Sequence, residues 1–355
     1  MLNQVLINLS FLTTKPTGIT TYATNLFPHL QSLNPTLLTS QSIANYSCYP
    51  VPPNLNPDSG TKGHLRRLAW TQIVLPRIYR QMRSQLLFSP VPEAPLFSNC
   101  RYIVTVHDLT ALRFPKPSPL TTYQRHYIPQ VLAQAEHILC NSTATAQDIT
   151  HFFQISPGKI TPILLAHDAD HFRFLNLPKQ NYFLYIGRHD PYKNLHRIIA
   201  AFAALPSRDY ELWLAGPSDS RYTPLLKADI ERLGITNQVK FLGYVPYSQL
   251  PSLINRALAL VFPSLWEGFG FPVLEAMACG TPAIASNLSS LPEVAGNAAL
   301  LIDPYNTGEI TAAMETIAGD SSLRSHLSTL GLTRAKSFSW AKTGLATVQV
   351  LSRYL

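Results

Sequence analysis

Glu267 and Glu275 stand eight residues apart in the segment "SLWEGFGFPVLEAMACGTPAIAS", Ser264 to Ser286, which is otherwise apolar and glycine-rich. Acids seldom occur in a buried strand–turn–helix unless something uses them. Pro272 suits the first turn of a helix and Gly280 its C-terminal cap, so the spacing predicts a short helix over "FPVLEAMAC". The strand "LALVFP" and the loop "SLWEGFG" would precede it. Glu275 is then expected at about the first turn, with Glu267 on the loop beside it. Gly268 and Gly270 permit close backbone approach, and the helix start offers N–H groups and a positive dipole end to an anion. Such a turn flanked by two carboxylates, which accept hydroxyls well, suits a nucleotide sugar.

A second constellation points the same way. "RHDPYKN" follows the strand "YFLYIG" and sets Arg188 and Lys193 at a strand's carboxyl end, as a diphosphate clamp would require. Surface charge explains either feature alone, but less readily both on one sheet edge. In the first half, "KPTGIT" (Lys15 to Thr20) joins the first strand to the first helix, so Gly18 is placed to approach a phosphate. "TVHDL" ends another strand with His107 and Asp108, a pairing more often structural than catalytic.

Positioning these residues requires alternating strands and helices, the pattern of doubly wound α/β domains. In the second half "YFLYIG", "YELWLAG", "QVKFLGYV", "LALVFP", "PAIAS" and "AALLIDP" are short apolar strands, as in a sheet covered on both faces. The first half offers "QVLINLS", "LLFSP", "YIVTVHD", "HILCNS" and "KITPILLA", with helices over "GITTYATNLFPHLQSL" and "ATAQDITHFF". Periodicity stops at "AHDADHFRFLNLPKQN", which reads as a linker. The expected organisation is an N-terminal Rossmann-like domain over 1–170, a C-terminal one over 171–340 facing it across a cleft, and a terminal helix over 341–355. Open α/β sheets bind ligands at the carboxyl ends of their strands.

The 355 residues, 46% of them hydrophobic, suffice for two cores, and no run approaches a membrane span of about 20 apolar residues. The N-terminal "MLNQVLINLSFLTT" lacks a basic leader region and reads as a strand rather than a signal peptide. Cys48, Cys100, Cys140 and Cys279 form neither a metal pattern nor a disulfide framework, so a reducing cytoplasm is expected. The net charge of +8 favours anionic partners. Between Ser59 and Pro92 there is no acid, while Lys62, Arg66, Arg67, Arg77, Arg80 and Arg83 fall inside. With Trp70 and Tyr79 as interfacial aromatics and a break at Pro76, residues 62–83 suggest a peripheral contact at the inner face of the plasma membrane. The alternative is a helix packed on the domain with its arginines in water. No nucleic-acid recognition module accompanies the charge, so that partner is not expected.

These residues carry a resemblance. "EGFGFPVLEAMACGTPAIAS" resembles the two-glutamate signature of the retaining glycosyltransferases of family 4, which have the GT-B fold. "YIGRHDPYKNLHRIIAAF", "LAGP", "VKFLGYV" and "LPEVAGNAALLIDP" are similar to the same family in the expected order, as are "PTGITTY", "VHDLTALRFP" and "SFSW". The resemblance implies that Glu275 holds the donor ribose and Glu267 the transferred sugar, with backbone N–H groups of Phe269, Gly270, Phe271, Val273 and Leu274, beside Gly268, at the sugar or diphosphate. It implies that Arg188 and Lys193 hold the diphosphate and help it leave, with Gly18 and Gly187 near it, and that His107 lies beside the donor sugar. The nucleobase would rest near Gly216, Tyr244 and Val245. Phe338 and Trp340 would pack where the terminal helix crosses back onto the first domain.

Two departures stand out: one glycine, Gly18, where relatives have a pair, and "AHDAD" before the linker. Asp168 and Asp170 thus form an Asp-x-Asp pair resembling the metal site of another glycosyltransferase fold. Their linker position argues against a metal, as does the presence of cations to serve the diphosphate. The expected activity is transfer of a hexose, mannose favoured, from GDP-mannose or a UDP-sugar to a glycan or lipid-linked acceptor in cell-surface polysaccharide synthesis, without metal or other cofactor. A sugar-nucleotide epimerase on the same fold, or a non-catalytic nucleotide-sugar-binding protein, are the competing readings.

Overall fold

Short, mostly apolar runs of three to five residues build two wholly parallel sheets in the computed structural model, which describes residues 5–13 and 17–355. Lys15 and Pro16 of the first predicted loop, and Met1 to Gln4 at the predicted first strand, lie outside the described residues.

The first sheet contains β1 (Val5–Asn8), β2 (Thr36–Thr39), β3 (Ser47–Pro50), β4 (Leu86–Ser89), β5 (Tyr102–Val106), β6 (His137–Cys140) and β7 (Ile160–Pro162). Its order is β3-β2-β1-β4-β5-β6-β7, with register pairs such as Leu6 to Leu87 and Val104 to Ile138. The second contains β8 (Tyr182–Ile186), β9 (Glu211–Ala215), β10 (Val239–Gly243), β11 (Ala259–Phe262), β12 (Ala283–Ser286) and β13 (Leu300–Ile302). Its order, β10-β9-β8-β11-β12-β13, reverses direction between β8 and β11. That crossing opens a ligand crevice in doubly wound sheets.

The chain divides into two units: Met1–Leu165 with Trp340–Leu355, and Ala166–Ser339. Residues 166–170, expected with the first domain, belong to the second unit. Asp168 and His171 explain this, because both bond to Tyr247: its hydroxyl donates to Asp168 Oδ2 at 3.3 Å, and its carbonyl accepts from His171 Nε2 at 2.8 Å. The terminal helix Trp340–Leu351 belongs to the first unit, burying Trp340, Thr343, Gly344 and Thr347 there. Phe338 stays in the second unit, edge-on to Phe269 at 6.2 Å.

The basic stretch forms two helices, Gly60–Ile73 and Leu75–Gln81, with the break at Val74, two residues before the predicted Pro76. Its aromatics are not interfacial. Trp70 and Tyr79 are buried in the core with Leu75, Ile78 and Leu87, and Arg67 is buried on the same side. Buried guanidinium requires a partner, and Arg67 finds one in Glu93, donating from Nε at 2.7 Å and from Nη2 at 2.8 Å.

Candidate active site

Four adjacent strands of the second sheet, β10, β9, β8 and β11, end at one edge, and each delivers a predicted residue there. Gly187 N–H donates to Ala215 O at 2.9 Å and Gly216 N–H to Gly243 O at 2.8 Å, which lines up the ends of β8, β9 and β10. Gly216 is obligatory in this arrangement. Its φ is +151°, and a Cβ would lie 1.8 Å from Gly187 O. Tyr244 and Val245 follow β10 directly, with Tyr244 exposed.

Arg188 precedes a 3-10 turn, Pro191–Lys193, after β8, and Lys193 is its last residue. Arg188 pairs with Asp190 at 2.7 Å and keeps its side chain 67% exposed. Lys193 turns inward. Its Nζ donates to Glu267 Oε1 at 2.6 Å, with the two side chains only 14% and 13% exposed. Burial works against the ammonium, but Glu267 more than offsets it and holds the group above its usual range. The rings of Tyr192 and Phe262 lie 5.2 and 5.5 Å from Nζ and add attraction.

The loop carrying Glu267 is fixed by two serines. Glu267 N–H donates to Ser289 Oγ at 3.1 Å, and Ser290 Oγ–H lies 3.0 Å from Glu267 O and 2.6 Å from Phe269 O. These serines, which precede the helix Leu291–Ala295, had no signal in the sequence beyond their place after β12. Gly270, at φ +116°, turns the chain into the helix Phe271–Ala278, with Pro272 in its first turn and Gly280 just past its end.

Two features of this helix bear on what the sequence suggested. Val273 and Leu274 donate their N–H groups to Gly270 O at 3.1 and 3.3 Å, because the first helical turn closes on that carbonyl. Glu275 is the fifth helical residue, in the second turn rather than the first, so the unsatisfied amides of the helix start are a turn away. Burial alone raises its carboxyl from 4.5 to about 8. Its charge is also felt at the Tyr247 hydroxyl, which burial, then Asp168, then Glu275 push up.

Asp168 and Asp170 do not form a cage. Asp168 Oδ1 accepts from His171 N–H at 3.1 Å, its other oxygen faces Tyr247, and Asp170 is exposed. Among the described residues no group of three or more His, Cys, Asp or Glu side chains converges as metal ligands would.

His107 and Gly18 belong to the first unit. Gly18 opens the helix Gly18–Leu26 behind the Thr17 cap, whose Oγ1 accepts from Thr20 N–H at 3.2 Å. His107 follows β5. Its Nε2 faces Pro90 O at 2.8 Å, and since that carbonyl only accepts, the proton is on Nε2. Nδ1 then accepts from Asn141 Nδ2 at 3.0 Å. Tyr22 packs edge-on at 4.9 Å, and burial pushes the imidazole below its usual range. Both nitrogens of the ring are thus engaged by the chain. Asn141 was not singled out by the sequence.

Two family models divide the chain: "Glycosyl transferases group 1" matches residues 167–331 and "Glycosyltransferase Family 4" matches residues 16–171. O-antigen chain mannosyltransferase B of Escherichia coli is 33% identical over 270 residues, covering 72% of this chain and 70% of the relative. O-antigen chain mannosyltransferase RfbU of Salmonella typhimurium is 26% identical over 324 residues, 88% of this chain and 90% of its own length. Among solved structures, sucrose-phosphate synthase from Thermosynechococcus elongatus superposes with a TM-score of 0.77 at 18% identity, over 99% of this chain and 98% of the other. Anabaena Alr3699/HepE in complex with UDP and glucose gives 0.77 at 17% identity, over 99% of each chain. The fold is therefore GT-B, and the chain belongs to the glycosyl transferases group 1 family.

Proposed function

We propose that this glycosyltransferase moves a hexose, with mannose favoured, from a nucleotide-diphosphate sugar to a glycan or lipid-linked acceptor, with retention of configuration and without a metal. The Lys193–Glu267 pair carries the reading. A diphosphate arriving at this edge competes for Lys193, and the exposed Arg188 adds a second cation. As the glycosidic bond breaks, negative charge grows on the diphosphate, and cations already in place stabilise it without reorganisation. Glu267, once Lys193 turns to the diphosphate, is free to accept hydroxyls of the transferred sugar. Glu275 accepts from the ribose.

Retention follows if the acceptor hydroxyl enters from the face the diphosphate leaves, giving its proton to a departing phosphate oxygen. No protein base is then required, in keeping with the occupied nitrogens of His107. Mannose is supported by the names of the relatives, two of which are O-antigen chain mannosyltransferases, and those names also support a glycan acceptor in polysaccharide synthesis. GDP-mannose is the donor to try first, with UDP-sugars as the alternative.

The test is transfer from GDP-α-mannose to a panel of glycan and lipid-linked acceptors, with the product anomer read by NMR. An α-linked product formed at undiminished rate in EDTA is expected. A β-linked product would overturn retention, and loss of activity on chelation restored by Mg²⁺ or Mn²⁺ would overturn metal independence.

A further inference from the structure

On the flank of the second sheet lies a groove of about 640 Å³, bounded by β9, β10 and the helix Leu250–Arg256. Its size falls in the range of about 300–1,000 Å³ that small-ligand sites occupy. The lining includes none of Arg188, Lys193, Glu267 or Glu275. It follows the sheet lengthwise instead: Tyr244 and Val245, just past the carboxyl end of β10, form one part, and Gln180 and Tyr182, at the amino end of β8, another.

One wall is aromatic and held in place. The Trp213 indole stacks on the Tyr182 ring at 3.9 Å, with 4° between the planes. Its Nε1–H donates to Glu211 Oε2 at 2.6 Å, and the same oxygen accepts from Lys240 Nζ at 2.8 Å. The Tyr182 hydroxyl donates to Leu253 O at 2.6 Å, which ties the stack to the helix. Each ring is anchored through its polar atom, so little freedom is left for a ligand to remove. Tyr244 adds a ring that is 71% exposed.

Beside these rings stand polar side chains that the fold leaves unused. Gln180, Ser248, Gln249, Ser252 and Arg256 line the groove, and among the described residues their side chains make no hydrogen bond or ion pair. Amides and hydroxyls both donate and accept, as sugar hydroxyls require. The lining holds no acid and a single cation, Arg256, so charge fits it to neither a polyanion nor a polycation. An apolar occupant would strip water from these polar groups and give them no bonds in return.

We propose that this groove binds a neutral hexose oligosaccharide, with sugar rings laid against Trp213 and Tyr244 and their hydroxyls bonded to Gln180, Gln249 and Arg256. An enzyme that lengthens a glycan gains from such a site, because a retained chain has a raised effective concentration at the enzyme. That use rests on the glycan-acceptor reading above, whereas the binding does not.

Titration calorimetry on the full chain, with no donor present, tests the binding. The probes are α-linked mannotetraose and maltotetraose, two neutral hexose chains. At least one is expected to bind, with an affinity that saturating GDP or UDP leaves unchanged. Gln180→Ala combined with Gln249→Ala weakens it by about tenfold, as loss of two hydrogen bonds does, at unchanged melting temperature because both residues are exposed. Ser252→Trp fills the groove and abolishes binding; if that variant is unstable, the exposed pair decides alone. In transfer assays the double variant raises KM for long acceptors and leaves a single-hexose acceptor unaffected. Binding without any glycan transfer would count against the acceptor reading alone. The groove proposal is overturned if neither chain binds at millimolar concentration, or if the double variant binds as well as the wild type. It is equally overturned if GDP or UDP displaces the sugar, because the groove would then belong to the nucleotide.

Discussion

At the carboxyl edge of the second sheet the polar side chains meet as ions, Lys193 on Glu267 at 2.6 Å and Arg188 on Asp190 at 2.7 Å. At the same edge of the first sheet the groups around His107 meet as neutral partners, and an ion pair beside them, Arg113 with the buried Asp148, joins the helices that follow β5 and β6. His107 sits between Pro90 and Asn141, and the Tyr22 hydroxyl lies 3.1 Å from Thr105 Oγ1. Ion pairs can change partners when a charged ligand arrives, because the ligand replaces one counter-charge with another. A neutral network in which each nitrogen is already matched resists such exchange and holds a shape instead. The contrast separates exchangeable contacts at Lys193 from fixed ones around His107.

The sharpest way to break that contrast is Glu267→Ala. Transfer is expected to be lost while the protein stays folded and binds nucleotide, as followed by initial rates alongside nucleotide titration. Near-normal turnover would remove the carboxylate from the reaction. The first unit has its own buried ion pair, Arg67 with Glu93, whose task on this view is structural. Glu93→Ala strands a buried guanidinium and should cost about 3–5 kcal/mol in urea unfolding while leaving nucleotide affinity unchanged. A weakened affinity with little loss of stability would merge the two regions.

Lys193→Ala should slow turnover by roughly 3–4 kcal/mol, since it removes a buried cation facing the leaving group. Arg188→Ala should cost less, because a side chain 67% exposed acts through water. Equal losses in single-turnover rates would show that burial does not set the ranking. The remaining prediction concerns pH. Below about 4.5 Glu275 is protonated in folded and unfolded chains alike; towards about 8 the unfolded chain releases its proton and the folded one keeps it. Stability therefore falls as pH rises across that window and levels off above it. Glu275→Gln should flatten this part of the melting-temperature profile, and an unchanged slope would show that Glu275 titrates normally.

The two regions also differed in how plainly their sequences spoke. Each strand of the second sheet appeared as an apolar run between turn signals. In the first, β2 and β3 escaped notice: "TLLT" is too short to show a period, and Ser47–Pro50 is a half-exposed edge strand ending in proline. At the site, Glu267, Lys193 and the helix start were legible because glycine, proline and charge punctuate them. Their pairing was not, since it joins side chains 74 residues apart. The closure of Val273 and Leu274 on Gly270, and the placement of Glu275 in the second turn, depend on which residue begins the helix. That is the detail a pattern leaves most open. Arg67 and Trp70 misled for a related reason. In a helix with so few acids, only the position of Glu93 across the fold decides which arginine turns inward.

The terminal helix carries a consequence for how the molecule is made. Because Trp340–Leu355 belongs with Met1–Leu165, the second unit is spliced into the first, and a chain emerging from a ribosome delivers the last piece of the first unit only after all of the second. Gly344, where a Cβ would lie 2.2 Å from His29 Cβ, has to find its place against residues synthesised more than three hundred positions earlier. The unit begun first is thus completed last. Until then the surface that Trp340, Thr347 and Leu351 will cover is open to other nascent chains.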